Sequence, residues 1–197
     1  MTASRRPHDD WNRLKPDTTE AVEDLARQLR SGTSSSQDLL DTYLYAKRLL
    51  AESMQAFIRT SLPERCEEFH QLRDQLAEQM QLWYGDRLPE SYLSVPYGFR
   101  VHEELFSILF QRMGQNVEAA LLRVVTGDSV HTERRTRELR ELGMAVTSYK
   151  ANDIEYYCLK SLDLDHGMIN SIILKTAKKK GFKPVAEKDL KAVLGEG

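Results

Sequence analysis

The amino-acid sequence predicts a mainly α-helical protein with one two-stranded β-hairpin in its second half. Apolar residues recur at helical spacing along most of residues 18–84. Two shorter helical patterns, separated by a glycine-containing turn, follow between residues 116 and 142. Directly after them, apolar and polar side chains alternate over residues 144–160 around a short turn, which is the pattern of a hairpin.

The N-terminal part is predicted to be a helical region that follows a mobile lead-in. Residues 1–17 are polar and contain two prolines, and Trp11 is expected to dock on the folded body. A helix is expected to begin near Thr18, and the apolar spacing across residues 18–84 predicts a helical hairpin or small bundle. The serines at positions 34–36 are expected to form a turn and a helix cap.

The remaining domain boundaries follow from glycine, proline and charge. Residues 85–100 are rich in glycine, proline and tyrosine, so they predict an ordered connector. A helix over Val101–Met113 opens the next domain, which is expected to extend to residue 162. Residues 163–197 are expected to form a C-terminal helix, capped near Asp163, and a basic tail.

The segment between residues 116 and 162 is the most informative part of the chain. A first helix is predicted from Asn116 to Val125, and the turn formers Thr126-Gly127-Asp128-Ser129 end it. A second, arginine-rich helix is expected over His131–Leu142 before Gly143. The strands Met144–Lys150 and Ile154–Lys160, joined by Ala151-Asn152-Asp153, complete the unit. This is the element order of a winged helix-turn-helix, in which the second helix enters the DNA major groove.

The stretch HTERRTRELRELG, from His131 to Gly143, resembles the recognition helix of winged-helix modules found beside nuclease domains in restriction-type proteins. The resemblance covers about residues 101–162. It implies a winged helix-turn-helix with a two-stranded wing, and it implies double-stranded DNA as the partner.

Residue chemistry then gives the expected contacts with DNA. Arginine can bind guanine O6 and N7 with two hydrogen bonds, while lysine suits phosphate. The predicted DNA-binding residues are His131, Thr132, Arg134, Arg135, Arg137 and Arg140 on the second helix, Lys150 and Asn152 on the wing, and Lys178, Lys179 and Lys180 in the tail. Taken alone, the lysine-rich tail also fits a solvated end that complements the helix dipole.

A second interpretation of the arginine-rich helix stays open. Glutamates lie four positions from the arginines in the pairs Glu133–Arg137, Arg134–Glu138 and Arg137–Glu141. Such pairs stabilise a solvated helix without any DNA. The overall charge of −2 gives no polycation signature, although residues 1–99 carry net −4 and residues 100–197 net +2.

The sequence gives little evidence for a disulfide, metal or cofactor site. Cys66 and Cys158 have no paired-cysteine spacing, which argues against a disulfide scaffold and against structural zinc. The triplet His102-Glu103-Glu104 and the run Asp163-Leu164-Asp165-His166 are expected to be surface or capping residues and no metal site. No cofactor is expected. Because no signal peptide or membrane span is visible, the expected location is the cytoplasm.

The function that the sequence favours is duplex DNA recognition, as a recognition or regulatory component of a restriction, defence or transcriptional system. Two other functions are kept open. One is a protein-interaction subunit that uses the winged module, and the other is a small DNA endonuclease with an unrecognised site, since no catalytic motif is visible. Two apolar stripes on the N-terminal helices also predict a homodimer or a protein partner.

Overall fold

The computed structural model of the protein describes residues 7–127, 131–179, 190 and 192–195. The fold is mainly helical with a small three-stranded antiparallel sheet, which confirms the predicted fold class at this level. The helices are α1 (Pro7–Ser31), α2 (Ser36–Arg59), α3 (Glu67–Tyr84), α4 (Arg100–Gln111), α5 (Ala119–Val125), α6 (Thr132–Glu141) and α7 (Ile169–Lys179). The strands are β1 (Val117–Glu118), β2 (Met144–Ala151) and β3 (Ile154–Leu164), and short 3₁₀ turns occupy Glu90–Tyr92 and His166–Met168.

The chain divides into two compact units. The first consists of Met1–Pro63 and Ala120–Thr132, and the second consists of Glu64–Ala119 and Glu133–Gly197. The sequence instead grouped residues 18–84 and placed the boundary in the connector at 85–100. The structure assigns α3 to the second unit, where Phe69 contacts Phe106 of α4 with 5.5 Å between ring centroids.

Helix α1 begins at Pro7 and not near Thr18, so the described part of the predicted lead-in is helical. Within this segment Leu14 is buried and Trp11 packs on Phe57 at 5.1 Å between ring centroids. These contacts within the first unit offset the hydrogen bond that is lost at Pro16.

Helix α5 is shorter than predicted, because residues Val117 and Glu118 form strand β1. Val117 pairs with Tyr157 and Glu118 pairs with Tyr156 of β3. The valine matches the apolar spacing of the helix that follows, so its pattern did not distinguish a strand residue from a helical one. Gly127 has a φ of 61°, as expected at a left-handed helix end, whereas Asp128 and Ser129 lie outside the described residues.

The predicted hairpin is confirmed, and β3 extends beyond the predicted end to Leu164. Strand β2 pairs antiparallel with β3 from Val146↔Leu159 to Ala151↔Ile154. Asn152 and Asp153 have positive φ angles of 49° and 62°, which are the conditions of a type I′ turn. Strand β3 is central, in the order β1-β3-β2.

The sheet and its neighbouring helices share the core of the second unit. Its fully buried side chains come from α3, α4, α6, β3 and α7, and they include Leu76, Leu105, Leu109, Leu139, Leu142, Leu159, Ile169 and Ile172. Cys66 and Cys158 are buried and free, in agreement with the argument against a disulfide scaffold. The connector is tied to α3, because Arg73 donates hydrogen bonds to the carbonyl oxygens of Val95, at 2.9 Å, and of Pro96.

Candidate nucleic-acid interface

Helix α6 is fixed on its inner side and leads directly into the hairpin. Thr136, Leu139 and Leu142 are completely buried. Gly143 follows with a φ of 82°, and a Cβ atom at this position would lie 2.6 Å from the carbonyl oxygen of Asp165. Only glycine fits both conditions. The backbone N–H of Asp165 donates to the carbonyl of Gly143 at 2.8 Å, so the end of α6 is held against the end of β3.

A buried carboxylate, Glu138, organises the middle of α6. Its Oε2 atom lies 2.8 Å from Nε2 of His102 on α4 and accepts a hydrogen bond of 2.9 Å from Nη1 of Arg135. Its Oε1 atom accepts from Nε of Arg134 at 3.1 Å. Burial alone would raise the pKa of Glu138, but the hydrogen bonds from His102 and Arg135 and the charge of Arg135 lower it. Glu138 is therefore an ionised anchor beneath two arginines.

His102 is completely buried between aromatic rings. Its ring lies 5.7 Å from that of Tyr97 and 6.0 Å from that of Phe99, measured between centroids. Burial lowers the pKa of His102, although its hydrogen bond to Glu138 acts in the opposite direction. The imidazole is therefore neutral and carries its proton on Nε2, facing the carboxylate. Nδ1 has no hydrogen-bond partner among the described residues.

A second carboxylate, Glu141, holds the last turn of α6. It accepts hydrogen bonds of 2.9 Å from the hydroxyl of Tyr97 and from Nζ of Lys175 on α7, and its Oε1 lies 3.8 Å from Nε of Arg137. Burial would raise the pKa of Glu141, but the hydrogen bonds from Lys175 and Tyr97 lower it. Burial and the contact with Glu141 raise the pKa of Tyr97 to about 12. Two carboxylates thus bind α6 to the rest of the second unit.

The surface or capping role expected for His102-Glu103-Glu104 is wrong, because all three residues are buried. Glu103 accepts the backbone N–H of Cys66 at 2.7 Å, and Glu104 accepts from Nε of Arg100 at 3.1 Å. Helix α4 is buried on every side from residue 102 to 109. Its polar residues therefore point into the protein, which no amphipathic pattern could reveal. Asp165 does act as a cap, accepting from the backbone N–H of Gly167 at 2.9 Å.

The predicted arginines lie on the outer side of α6, in contrast to its carboxylates. The side chains of Arg134 and Arg137 are 57% and 60% exposed, whereas those of Glu138 and Glu141 are only 4% and 22% exposed. Arg135 is half-buried through its contact with Glu138. Arg140 is also half-buried, and its Nη1 lies 3.4 Å from the hydroxyl of Ser148 on β2.

The start of α6 is different, and it belongs to the first unit. The Thr132 side chain is buried, and its hydroxyl lies 2.5 Å from that of Thr126. The contact predicted between Thr132 and DNA stays a prediction, and in this structure its hydroxyl group faces Thr126. His131, the residue before it, is exposed.

The two residues at the hairpin tip that were predicted to contact DNA are on the surface. Lys150 and Asn152 are exposed, and Nζ of Lys150 lies 2.9 Å from a carboxylate oxygen of Asp153. Nearby, the rings of Tyr149 and Tyr156 stack at 5.4 Å between centroids.

The basic tail is only partly described. Lys178 is exposed on α7, and Lys179 is its last residue, with a side chain outside the described part of the chain. Lys180 lies outside the described residues altogether.

The described residues offer neither a cluster of metal ligands nor a membrane-spanning helix. No group of three or more His, Cys, Asp or Glu side chains that could hold a metal ion occurs among them. None of the described helices is long and apolar enough to cross a membrane.

A comparison with protein families matches the part of the chain that contains α6 and the hairpin. Residues 103–168 match the protein family described as KpnI N-terminal domain, which is related to a restriction enzyme. The match associates this segment with restriction-type proteins. It begins in α4, one residue after His102, and ends with the 3₁₀ turn before α7, so it includes α6 with Glu138 and the three strands of the sheet. No curated protein and no solved structure matches the chain.

Proposed function

We propose that this protein binds duplex DNA as a recognition or regulatory component of a restriction-type defence system. In this proposal residues 101–162 form a winged helix-turn-helix, α6 enters the major groove, and the β2–β3 turn contacts the sugar–phosphate backbone. The family resemblance over residues 103–168 supports the restriction association.

The order and pairing of the elements support the winged module. A helix, a two-residue strand, two further helices and a hairpin follow one another, and the short strand β1 pairs with β3 of the hairpin. Only the glycine turn at residues 142–143 separates α6 from β2. Because α5 lies in the first unit and most of α6 in the second, the packing of these two helices on each other is part of the proposal.

The observation that carries the proposal is the unequal exposure of opposite charges on α6. A self-paired, solvated helix would present carboxylates and guanidinium groups to water alike. Here Glu138 and Glu141 are drawn inward by His102, Tyr97 and Lys175, while more than half of each Arg134 and Arg137 side chain is exposed. The exposed charged side chains of α6 are therefore arginines, and its third carboxylate, Glu133, is half-buried.

The chemistry of this surface suits DNA. Arg134 and Arg137 are three residues apart and lie on neighbouring positions of one helix face. A guanidinium group can bind guanine O6 and N7 in the major groove or clamp a phosphate. Partial pairing with Glu138 limits the conformations of Arg134, which lowers the entropy that it loses on binding.

A gel shift with duplex DNA at two salt concentrations tests the proposal. The wild-type protein should bind, and binding should weaken at the higher salt because counterions compete for phosphate. The variant Arg134→Glu/Arg137→Glu should lose binding while its far-ultraviolet circular dichroism stays unchanged, because each carboxylate then faces phosphates.

The matched control is Arg27→Glu/Arg65→Glu, which makes the same change of charge at exposed arginines elsewhere, each paired with a nearby carboxylate. It should bind almost as well as the wild-type protein. If the folded α6 variant binds DNA at low salt with the affinity of the wild-type protein, α6 is not part of the DNA interface. Incubation of plasmid with the protein and magnesium separates simple binding from nuclease activity.

A further inference from the structure

The hairpin of α1 and α2, in the first unit, exposes an apolar patch. Near the closed end of the hairpin, Leu25, Leu29, Leu39, Leu40 and Tyr43 line a groove of about 420 Å³, together with Ser36. Leu44 extends this surface by one turn along α2. We call these five apolar residues and Leu44 the hairpin patch. Leu29, Leu40 and Leu44 are 62%, 48% and 52% exposed, so the patch presents large apolar side chains to solvent.

The outer part of the patch, Leu40 and Leu44, lies opposite the face of α2 that packs within its own unit, whereas Leu25 packs against the buried residues Ala21, Ala46 and Leu49. Ala46, Leu49, Ser53 and Ala56 are the buried residues of α2. At 100° per residue, Leu40 and Leu44 lie on the far side of the helix from them. The contacts between α1 and α2 therefore do not explain the apolar side chains of Leu40 and Leu44 on the outer face of α2. A second apolar face on one helix indicates a second packing partner.

The charges beside the patch are arranged as a second copy of this chain would require. Asp41 and Arg48 are exposed, and they lie seven residues apart, so two helical turns place them on the same flank of Leu44. In a two-fold symmetric interface, a contact from residue i to residue j is repeated from j to i. When two α2 helices pair antiparallel with their axis of symmetry next to Leu44, Asp41 of each copy faces Arg48 of the other.

We propose that the hairpin patch joins two copies of the protein, with their α1–α2 hairpins forming an antiparallel four-helix bundle. Leu40 and Leu44 form the centre of this interface, and the two Asp41–Arg48 pairs form its rim. The proposal does not depend on DNA binding, because it concerns only the first unit. Antiparallel bundles of this kind bury one apolar stripe from each helix, as the outer face of α2 requires.

Sedimentation equilibrium of the full chain without DNA tests the proposal. The wild-type protein should be a dimer at tens of micromolar. Leu40→Glu/Leu44→Glu should be a monomer at the same concentration, because four carboxylates would be buried at the centre of the interface. The control Leu82→Glu/Met113→Glu adds the same charge at exposed apolar residues of the second unit and should remain a dimer.

A charge exchange tests the orientation of the two copies. Asp41→Arg alone should raise the dimer dissociation constant about tenfold, since both rim pairs become repulsive. Asp41→Arg/Arg48→Asp should restore the wild-type constant. Circular dichroism checks that each variant is folded. A monomeric wild-type protein, or a Leu40→Glu/Leu44→Glu variant that remains a dimer, would overturn the proposal. If the wild-type protein is a monomer, the hairpin patch would instead bind a different protein or another segment of this chain.

Discussion

Helices α2 and α6 both expose an outer face that their own unit does not use, but the two faces have opposite chemistry. Helix α2 exposes leucines beside a buried face of alanine, leucine and serine. Helix α6 exposes arginines above a buried face that includes the carboxylate of Glu138. Removal of the leucine face of α2 from water is favourable. The arginine face of α6 is instead stabilised by contact with negative charge.

The two helices also differ in the contacts that fix their inner faces. In α6, much of the inner contact is made by charged and polar groups, which His102, Tyr97 and Lys175 satisfy from other parts of the second unit. In α2, the inner contact is almost entirely apolar. Salt should therefore weaken the proposed DNA contact of α6 and leave the proposed self-association of α2 nearly unchanged.

The largest effect is expected from removal of the buried carboxylate of α6. Glu138→Ala should lower the free energy of unfolding by about 1–3 kcal/mol, because it leaves the buried N–H group of the neutral His102 without its acceptor. Urea denaturation monitored by circular dichroism measures the change. Leu40→Ala, on the exposed face of α2, is the comparison, and it should change the unfolding free energy of the monomer by no more than about 0.5 kcal/mol. Equal effects of the two substitutions would contradict the role given to the network beneath α6.

A smaller effect on DNA affinity is expected from the hairpin tip between β2 and β3. It tests whether the proposed DNA contact is electrostatic. Lys150→Ala/Asn152→Gly removes both side chains, and glycine suits the positive φ at position 152. Affinity should fall to a similar extent for all DNA sequences, and the slope of log K against log salt should decrease by about one unit for each lost phosphate contact.

The matched control for the wing is Asp153→Gly, which alters the same turn but removes a negative charge. It should bind DNA at least as tightly as the wild-type protein. Weaker binding by Asp153→Gly, or sequence-dependent losses in the double variant, would show that the wing acts through its shape or reads bases.

The smallest effect is a pH dependence of stability from His102. Its folded pKa is lowered by burial, so below about pH 6.5 the unfolded chain binds a proton that the folded chain does not. Stability should therefore fall as pH decreases from about 7 towards 5. Glu138 also has a lowered pKa, and the stability that it contributes should be lost only in a more acidic range, below about pH 4.

Denaturation curves of His102→Gln at several pH values measure the first of these losses. The variant should be less stable than the wild-type protein at neutral pH, but its stability should depend less on pH between about 7 and 5. His166→Gln, at an exposed histidine, should keep the wild-type dependence. An unchanged pH dependence in His102→Gln would mean that another group accounts for it.

The sequence by itself determined the features that depend on local pattern. Helical spacing predicted α2, α3, α4 and α6, and the alternation around Asn152 and Asp153 predicted the hairpin, because each pattern repeats within a few residues. Gly143 and Ser35 also followed from local rules: the first ends α6, and the second caps α2 by accepting the backbone N–H of Asp38. The resemblance of residues 131–143 indicated a restriction-type association, which the match over 103–168 supports.

Only the tertiary structure decided which charges face water. The sequence showed arginines and glutamates in alternation on α6, and this pattern alone is also compatible with a solvated helix that makes no contact with DNA. His102 lies 36 positions before Glu138 and Lys175 lies 34 positions after Glu141, so no local pattern could reveal that both carboxylates are held inward. Likewise, the contact of Trp11 with Phe57 extends α1 through Pro16, and the pairing of Val117 with Tyr157 converts a helix-like valine into a strand residue. In each case the deciding free energy comes from a partner distant in the sequence, and this partner outweighs the local preference.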